Sequence, residues 1–257
     1  MKRCLIALLL LACNRIALAD SQAVQKTNVI VGYASWDTSS SSVRVGNSYD
    51  IYGGVAFPLA PYLGASLTGA FGSSTLRTNY NADGTSTNTS TTCSIGNDNL
   101  DAELFARDPT VGKLGISYAA GRQKSHCNGT FLTTGSDVQD TSGYGIHAEY
   151  YFSSVTAAAA YAKTNVGSNS ELNSASLSAG WYPMSDLRID MSASGLDLKN
   201  SYMVGLEYRP AFLDESLSLL LSYTSQNLST QTHTIMVGIN YFFEKHVPLI
   251  TRDRYYR

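Results

Sequence analysis

The sequence predicts an all-β fold: a transmembrane, antiparallel up-and-down β-barrel of about twelve strands, with short turns at one end and longer loops at the other. Three observations predict it. Apolar residues recur at every second position along most of the chain, short and long connections alternate, and aromatic residues gather where the strands would leave lipid. Composition agrees, because only 15% of residues are charged, against roughly a quarter in a soluble domain. Seventeen Tyr and 21 Gly against six Pro fit many short strands better than a helical enzyme. The net charge of -2 excludes a basic nucleic-acid binder, so no nucleic acid is expected as a partner.

Residues 1–19 read as a signal peptide. Lys2 and Arg3 precede an apolar run over 5–12, and Ala17-Leu18-Ala19 offers a small-residue cleavage site before Asp20. The run is far short of the roughly 20 residues a spanning helix needs. A looser reading takes Leu10-Leu11-Ala12-Cys13 as a lipoprotein processing site. Signal removal takes Lys2, Arg3 and Arg15 with it and shifts the formal charge from -2 to -5. Cys93 and Cys127 are then the remaining cysteines, and an exported pair fits a disulfide better than a metal site.

The barrel is placed at 20–243. Its strands are read at 27–36, 47–57, 62–72, 99–107, 113–121, 142–152, 155–163, 174–182, 187–194, 200–209, 216–224 and 232–243. Leu63, Ala65, Leu67 and Phe71 form one stripe, with Gly64, Ser66 and Thr68 on the other face. Leu114, Ile116 and Tyr118, then Tyr144, Ile146, Ala148, Tyr150 and Phe152, continue the pattern. Later stripes are Ala175 to Trp181, Leu187 to Met191, Tyr202 to Tyr208 and Leu217 to Tyr223, each taken at every second residue. Ile235, Val237, Ile239, Tyr241 and Phe243 close the series.

Compact joins at 58–61, 108–112, 153–154, 183–186 and 210–215 alternate with longer ones, above all 73–98 and 122–141. Both cysteines fall in these two long loops, whose roots flank one strand pair. One aromatic band is read beside the short turns at Phe57, Tyr62, Tyr150, Tyr151, Phe152, Trp181, Tyr182, Tyr208, Tyr241 and Phe243. The other is read at Tyr33, Trp36, Tyr118, Tyr144, Tyr161, Tyr202 and Tyr223. In hydrocarbon every backbone N–H and C=O must be paired, and only helices or closed sheets achieve that.

The segment 235–243 resembles the terminal-strand assembly signal of bacterial, Gram-negative outer-membrane β-barrel proteins, in which alternating apolar residues end in an aromatic with Tyr two positions earlier, here Tyr241 and Phe243. The resemblance covers 27–243 and identifies the broad, porin-like class but no single family. It implies an integral outer-membrane location, contact with outer-membrane lipid and lipopolysaccharide, and insertion by the barrel-assembly machinery. The chain departs from the pattern by continuing through 244–257, a periplasmic C-terminal tail read as a solvated extension.

Strand phase points Asp50, Asp101, Glu103, His147, Glu149, Asp190 and Glu207 inward, with Arg107, Arg188 and Arg209. Acids outnumber arginines, so a narrow, weakly cation-preferring pore for small solutes is expected, with Asp101 and Glu103 near the outer mouth. Arg188 and Asp190 are read roughly opposite Arg209 and Glu207, as an ion-pair cluster that stiffens the wall. Two other classes remain open. A lipid hydrolase or acyltransferase would need a Ser and a His within reach, and Ser225 with His233 is the best pair, although no His-x-Ser motif is present. A loop-mediated adhesin or receptor would use the bridged loops. No cofactor or metal is expected, because no phosphate loop, zinc spacing or calcium loop is found.

Overall fold

The computed structural model describes residues 23–256 apart from 41–43, 81–85, 129–137, 168–169, 197–199, 211, 213–215, 228–230 and 245–246. The expected signal peptide at 1–19 therefore lies outside the described residues. Twelve antiparallel strands form a closed barrel: β1 (Asn28–Ser40), β2 (Arg44–Ala60), β3 (Leu63–Tyr80), β4 (Ser86–Asp108), β5 (Gly112–Asn128) and β6 (Val138–Tyr151). The ring continues with β7 (Val155–Val166), β8 (Ser170–Met184), β9 (Leu187–Leu196), β10 (Ser201–Tyr208), β11 (Leu217–Asn227) and β12 (Gln231–Phe242). Each strand pairs with its sequence neighbours, and β1 pairs with β12 from Ile30↔Phe242 to Ser40↔Thr232, so no sheet edge is left open.

Side-chain alternation gives this cylinder an exterior suited to lipid. Phe71, Leu114, Ile116, Leu177, Met191, Val204 and Ile235 are each more than half exposed. In water such a surface would drive association, whereas in hydrocarbon it is the favoured state. Tyr62, Tyr150, Phe152, Trp181, Tyr208 and Phe243 stand exposed toward the short-turn end, and Tyr118, Tyr144, Tyr161, Tyr202 and Tyr223 toward the other. Two expected members of the first band are absent from it. Tyr151 and Tyr182 are buried and face the lumen, since each follows an outward aromatic by one residue and takes the opposite phase.

The long connections are also shorter than the sequence suggests. Most of 73–98 and of 122–141 is strand, because β3, β4, β5 and β6 run on past the apolar stripes. β4 alone has 23 residues, about twice the 9–11 that a tilted strand needs to cross lipid. Above the membrane both faces of a sheet meet water, so period-two hydropathy vanishes there although the backbone ladder persists. Cys93 and Cys127 consequently sit within β4 and β5, in direct cross-strand register, rather than in loops.

The described C-terminal residues depart from the expectation of a solvated tail. A seven-residue helix, α1 (Leu249–Tyr255), lies across the short-turn mouth with Leu249 and Arg252 buried. From the opposite side residues 23–27 enter the same mouth, where Ala23 and Val24 pack against Ala56 and Phe105. Gly64 makes room for this contact, since a Cβ there would come within 2.6 Å of the Phe105 ring and 2.8 Å of Val24.

Candidate functional site

Two charged clusters face one another inside the barrel, because β4 and β10 lie six strands apart in a ring of twelve. The first is carried by β3 to β6. Glu103 binds Lys113 Nζ through Oε1 at 2.8 Å, meets His147 Nε2 at 3.1 Å, and accepts a hydrogen bond from Ser66 Oγ at 3.2 Å. Register explains the grouping: Ser66 opposes Glu103, Glu103 opposes Ser117, and Gly115 opposes both Phe105 and His147. Gly115 is required at that position, since a Cβ would come within 2.4 Å of the His147 ring and 2.5 Å of Glu103 Oε1. Lys113 and Arg107 also lie over the Phe105 ring, at 4.3 and 4.7 Å from its centroid. Nearer the turn, Tyr151 donates to Glu149 at 2.8 Å.

The second cluster joins β8 to β12 with the C-terminal helix. Arg252 grips Glu207 with two parallel hydrogen bonds of 2.7 Å, the fork geometry that suits a guanidinium and a carboxylate. Ser218 at 2.5 Å and Asn240 at 3.2 Å donate to the same carboxylate, and Arg188 Nη2 lies 3.4 Å away. Arg188 also holds Asp190 at 2.8 Å and Asp253 at 2.5 Å, while Tyr182 donates to Asp253 at 2.9 Å. Burial works against the charge of Arg252, but Asp253 and Glu207 outweigh it and hold the guanidinium above its ordinary value.

Between the clusters lies a lumenal cavity of about 540 Å³. Gly54, Ser66, Thr68 and Ala70 line one wall and Thr156, Ala158, Ser178 and Gly180 another, so small side chains leave the space that larger ones would fill. Asp253 and Tyr256 of the C-terminal segment form its floor.

Each inward charge read from the sequence keeps its phase, but several relations differ from the expectation. Arg188 stands directly opposite Glu207 rather than Arg209. Arg209 instead clamps Asp186 at the β8/β9 turn, with its Nε 2.8 Å from Oδ1. Asp101 and Glu103 lie within the last eight residues of the 23-residue β4 at its short-turn side, so both are in mid-wall and not near the outer mouth, and Lys113 neutralises Glu103. Asp50 accepts from Asn97 at 3.4 Å, and neither Asp50 nor Asp101 makes an ion pair among the described residues. Lys113 is missing from the inward charges read from the sequence, and Arg252 and Asp253 are read there only as charges of the tail. Lys113 was recoverable, since it precedes Leu114 and must take the lumenal phase; the other two belong to a helix that carries no period-two signal.

Ser225 and His233 are register partners near the long-loop end. The His233 ring, however, stacks on Tyr223 and its Nδ1 shares a 2.7 Å hydrogen bond with the Tyr223 hydroxyl. No group of His, Cys, Asp and Glu among the described residues could hold a metal ion.

A closed twelve-strand barrel with an apolar exterior and a charged lumen is, in fold, an integral outer-membrane β-barrel. Solved structures of that kind resemble the chain at low sequence identity. An outer membrane channel from Pseudomonas putida F1 aligns with a TM-score of 0.60 at 10% identity, over 89% of this chain and all of that one (100%). The translocator domain of the autotransporter NalP from Neisseria meningitidis aligns at 0.53 and 15% identity, over 93% and 95% of the two chains. A KdgM porin in complex with disordered oligogalacturonate aligns at 0.52 and 11%, over 84% and 99%. No protein-family model matches the chain, and no curated protein matches its sequence.

Proposed function

We propose that the protein is a pore for small hydrophilic solutes with a weak preference for cations. The observation that carries this reading is the 540 Å³ cavity, walled by Gly, Ala, Ser and Thr and flanked by charged clusters. Twelve strands stand between the eight that side chains can fill and the 16 to 18 that leave a wide aqueous channel. The folds of a channel and a porin among the similar structures support the same reading. The cation preference is assigned to Asp50 and Asp101, because Glu103 and Glu207 already hold cations of the protein itself.

Discrete conductance steps in planar bilayers are the expected result. Reversal potentials across a gradient of dilute salt then separate the carboxylates. Asp101→Asn should lower the cation-to-anion permeability ratio, whereas removing both charges of the compensated pair, as Glu103→Gln/Lys113→Gln, should change it little. The contrast should fade in about 1 M salt, where the screening length falls to about 3 Å. An unchanged ratio for Asp101→Asn in dilute salt would overturn the assignment.

A further inference from the structure

We propose that the C-terminal segment 247–256 is an autoinhibitory plug, latched by Arg252 on Glu207, which closes the short-turn mouth and must leave it for solute to pass. The proposal rests on the pore reading above and adds the device that regulates it.

The segment spans the mouth rather than lying along the wall. Leu249 N–H donates to Ser185 O at 2.8 Å at the β8/β9 turn, and Arg254 Nη2 reaches Val155 O at 3.0 Å beside the β6/β7 turn. On the far side, Asn28 donates through its amide to Tyr256 O, and Tyr256 packs edge-on against Phe242 with centroids 5.8 Å apart. The N-terminal residues complete the closure. Ala23 N–H bonds Pro61 O at 3.1 Å, Arg107 Nη1 bonds Ala23 O at 3.1 Å, and Gln25 N–H bonds Tyr255 O at 2.9 Å, so residues 23–25 meet the C-terminal segment across the opening.

The contacts pair a polar latch with a small apolar seat. A helix of seven residues is marginal on its own and persists through its docking. That docking joins polar contacts to a small apolar seat, in which Tyr256, Val247 and Tyr255 pack with Ile30 and Phe242, and the cavity behind it is lined by charged and hydroxyl groups that water solvates well on withdrawal. Glu207 would not be abandoned when Arg252 leaves. Arg188 lies 3.4 Å from it, and release of Asp253 frees the Arg188 guanidinium to close that gap. The carboxylate thus has a cation in both arrangements, which avoids the penalty of an isolated buried charge. Such an alternative partner is what allows one packed element to take two positions.

Three full-length proteins in planar bilayers test the plug: the unaltered chain, the Arg252→Gln/Asp253→Asn double variant, and a Ser185→Cys/Leu249→Cys variant oxidised to tether α1 to the rim. Heat-modifiable gel migration confirms that each is folded. The double variant should open about tenfold more often or more, the factor that about 1.4 kcal/mol of lost closed-state contact gives. The tethered variant should be silent until a reductant is added, with the reduced unaltered chain as control. Equal conduction by all three would overturn the plug and leave the pore intact. Silence of all three, including the folded double variant after reduction, would remove the pore reading and the plug with it.

Discussion

Glu207 collects more donors than any other lumenal carboxylate described here: both nitrogens of the Arg252 fork, Ser218 and Asn240, with Arg188 close by. Tyr52 extends the chain of hydrogen bonds by donating to Asn240 Oδ1 at 2.5 Å. At 1% exposure such a carboxylate is tolerable only because it is fully engaged. Glu207→Ala should therefore lower barrel stability by about 3–5 kcal/mol, the usual cost of breaking a buried pair from one side. A urea titration followed by gel migration would register the shift, and an unchanged midpoint would show that Asp253, which Arg252 Nε meets at 3.1 Å, is partner enough for the guanidinium. The inward phase of Glu207 is legible in the sequence from Leu206 and Tyr208 on either side. Its principal partner is not, because Arg252 lies 45 residues away in a segment whose short helix has no hydrophobic repeat long enough to mark a face.

At the scale of the element, β4 and β5 show where sequence periodicity stops reporting structure. From Leu100 to Asp108 the alternation is clear, because one face meets lipid and the other the lumen. Above Leu100 the ladder continues through Asp98↔Arg122 and Ile95↔Ser125 to Cys93↔Cys127, yet polar residues occupy both faces. Solvent on two sides removes the need for alternation but not the hydrogen bonding, so the sequence reads as loop while the backbone remains strand. Direct register makes a Cys93 to Cys127 bridge the expected state of the exported protein. Trapping of free thiols in denatured, unreduced protein should label neither residue, and stoichiometric labelling of both would exclude the bridge. The Cys93→Ser/Cys127→Ser variant should still assemble and keep its heat-modifiable migration, since every pair from Ser94↔His126 to Asp108↔Gly112 remains.

For the whole molecule the deciding question is which solvent meets the outer surface, and one pair of substitutions answers it. Val237 lies near the middle of β12, faces outward at 53% exposure, and pairs with Ser35 and Leu221. Ala158 lies on β7 and lines the cavity. In a barrel surrounded by water, a lysine at 237 would be harmless, because an exposed charge is solvated and costs almost nothing. In a bilayer, the same ammonium sits in hydrocarbon and costs about 2–4 kcal/mol near the midplane. Ala158→Lys faces a polar cavity with acceptors at hand, so its cost should be well below that in either setting. Urea unfolding from phospholipid bilayers, read by gel migration, should thus rank Val237→Lys as clearly less stable than Ala158→Lys. The reverse ranking, or a neutral Val237→Lys, would mean that the apolar stripe faces something other than lipid.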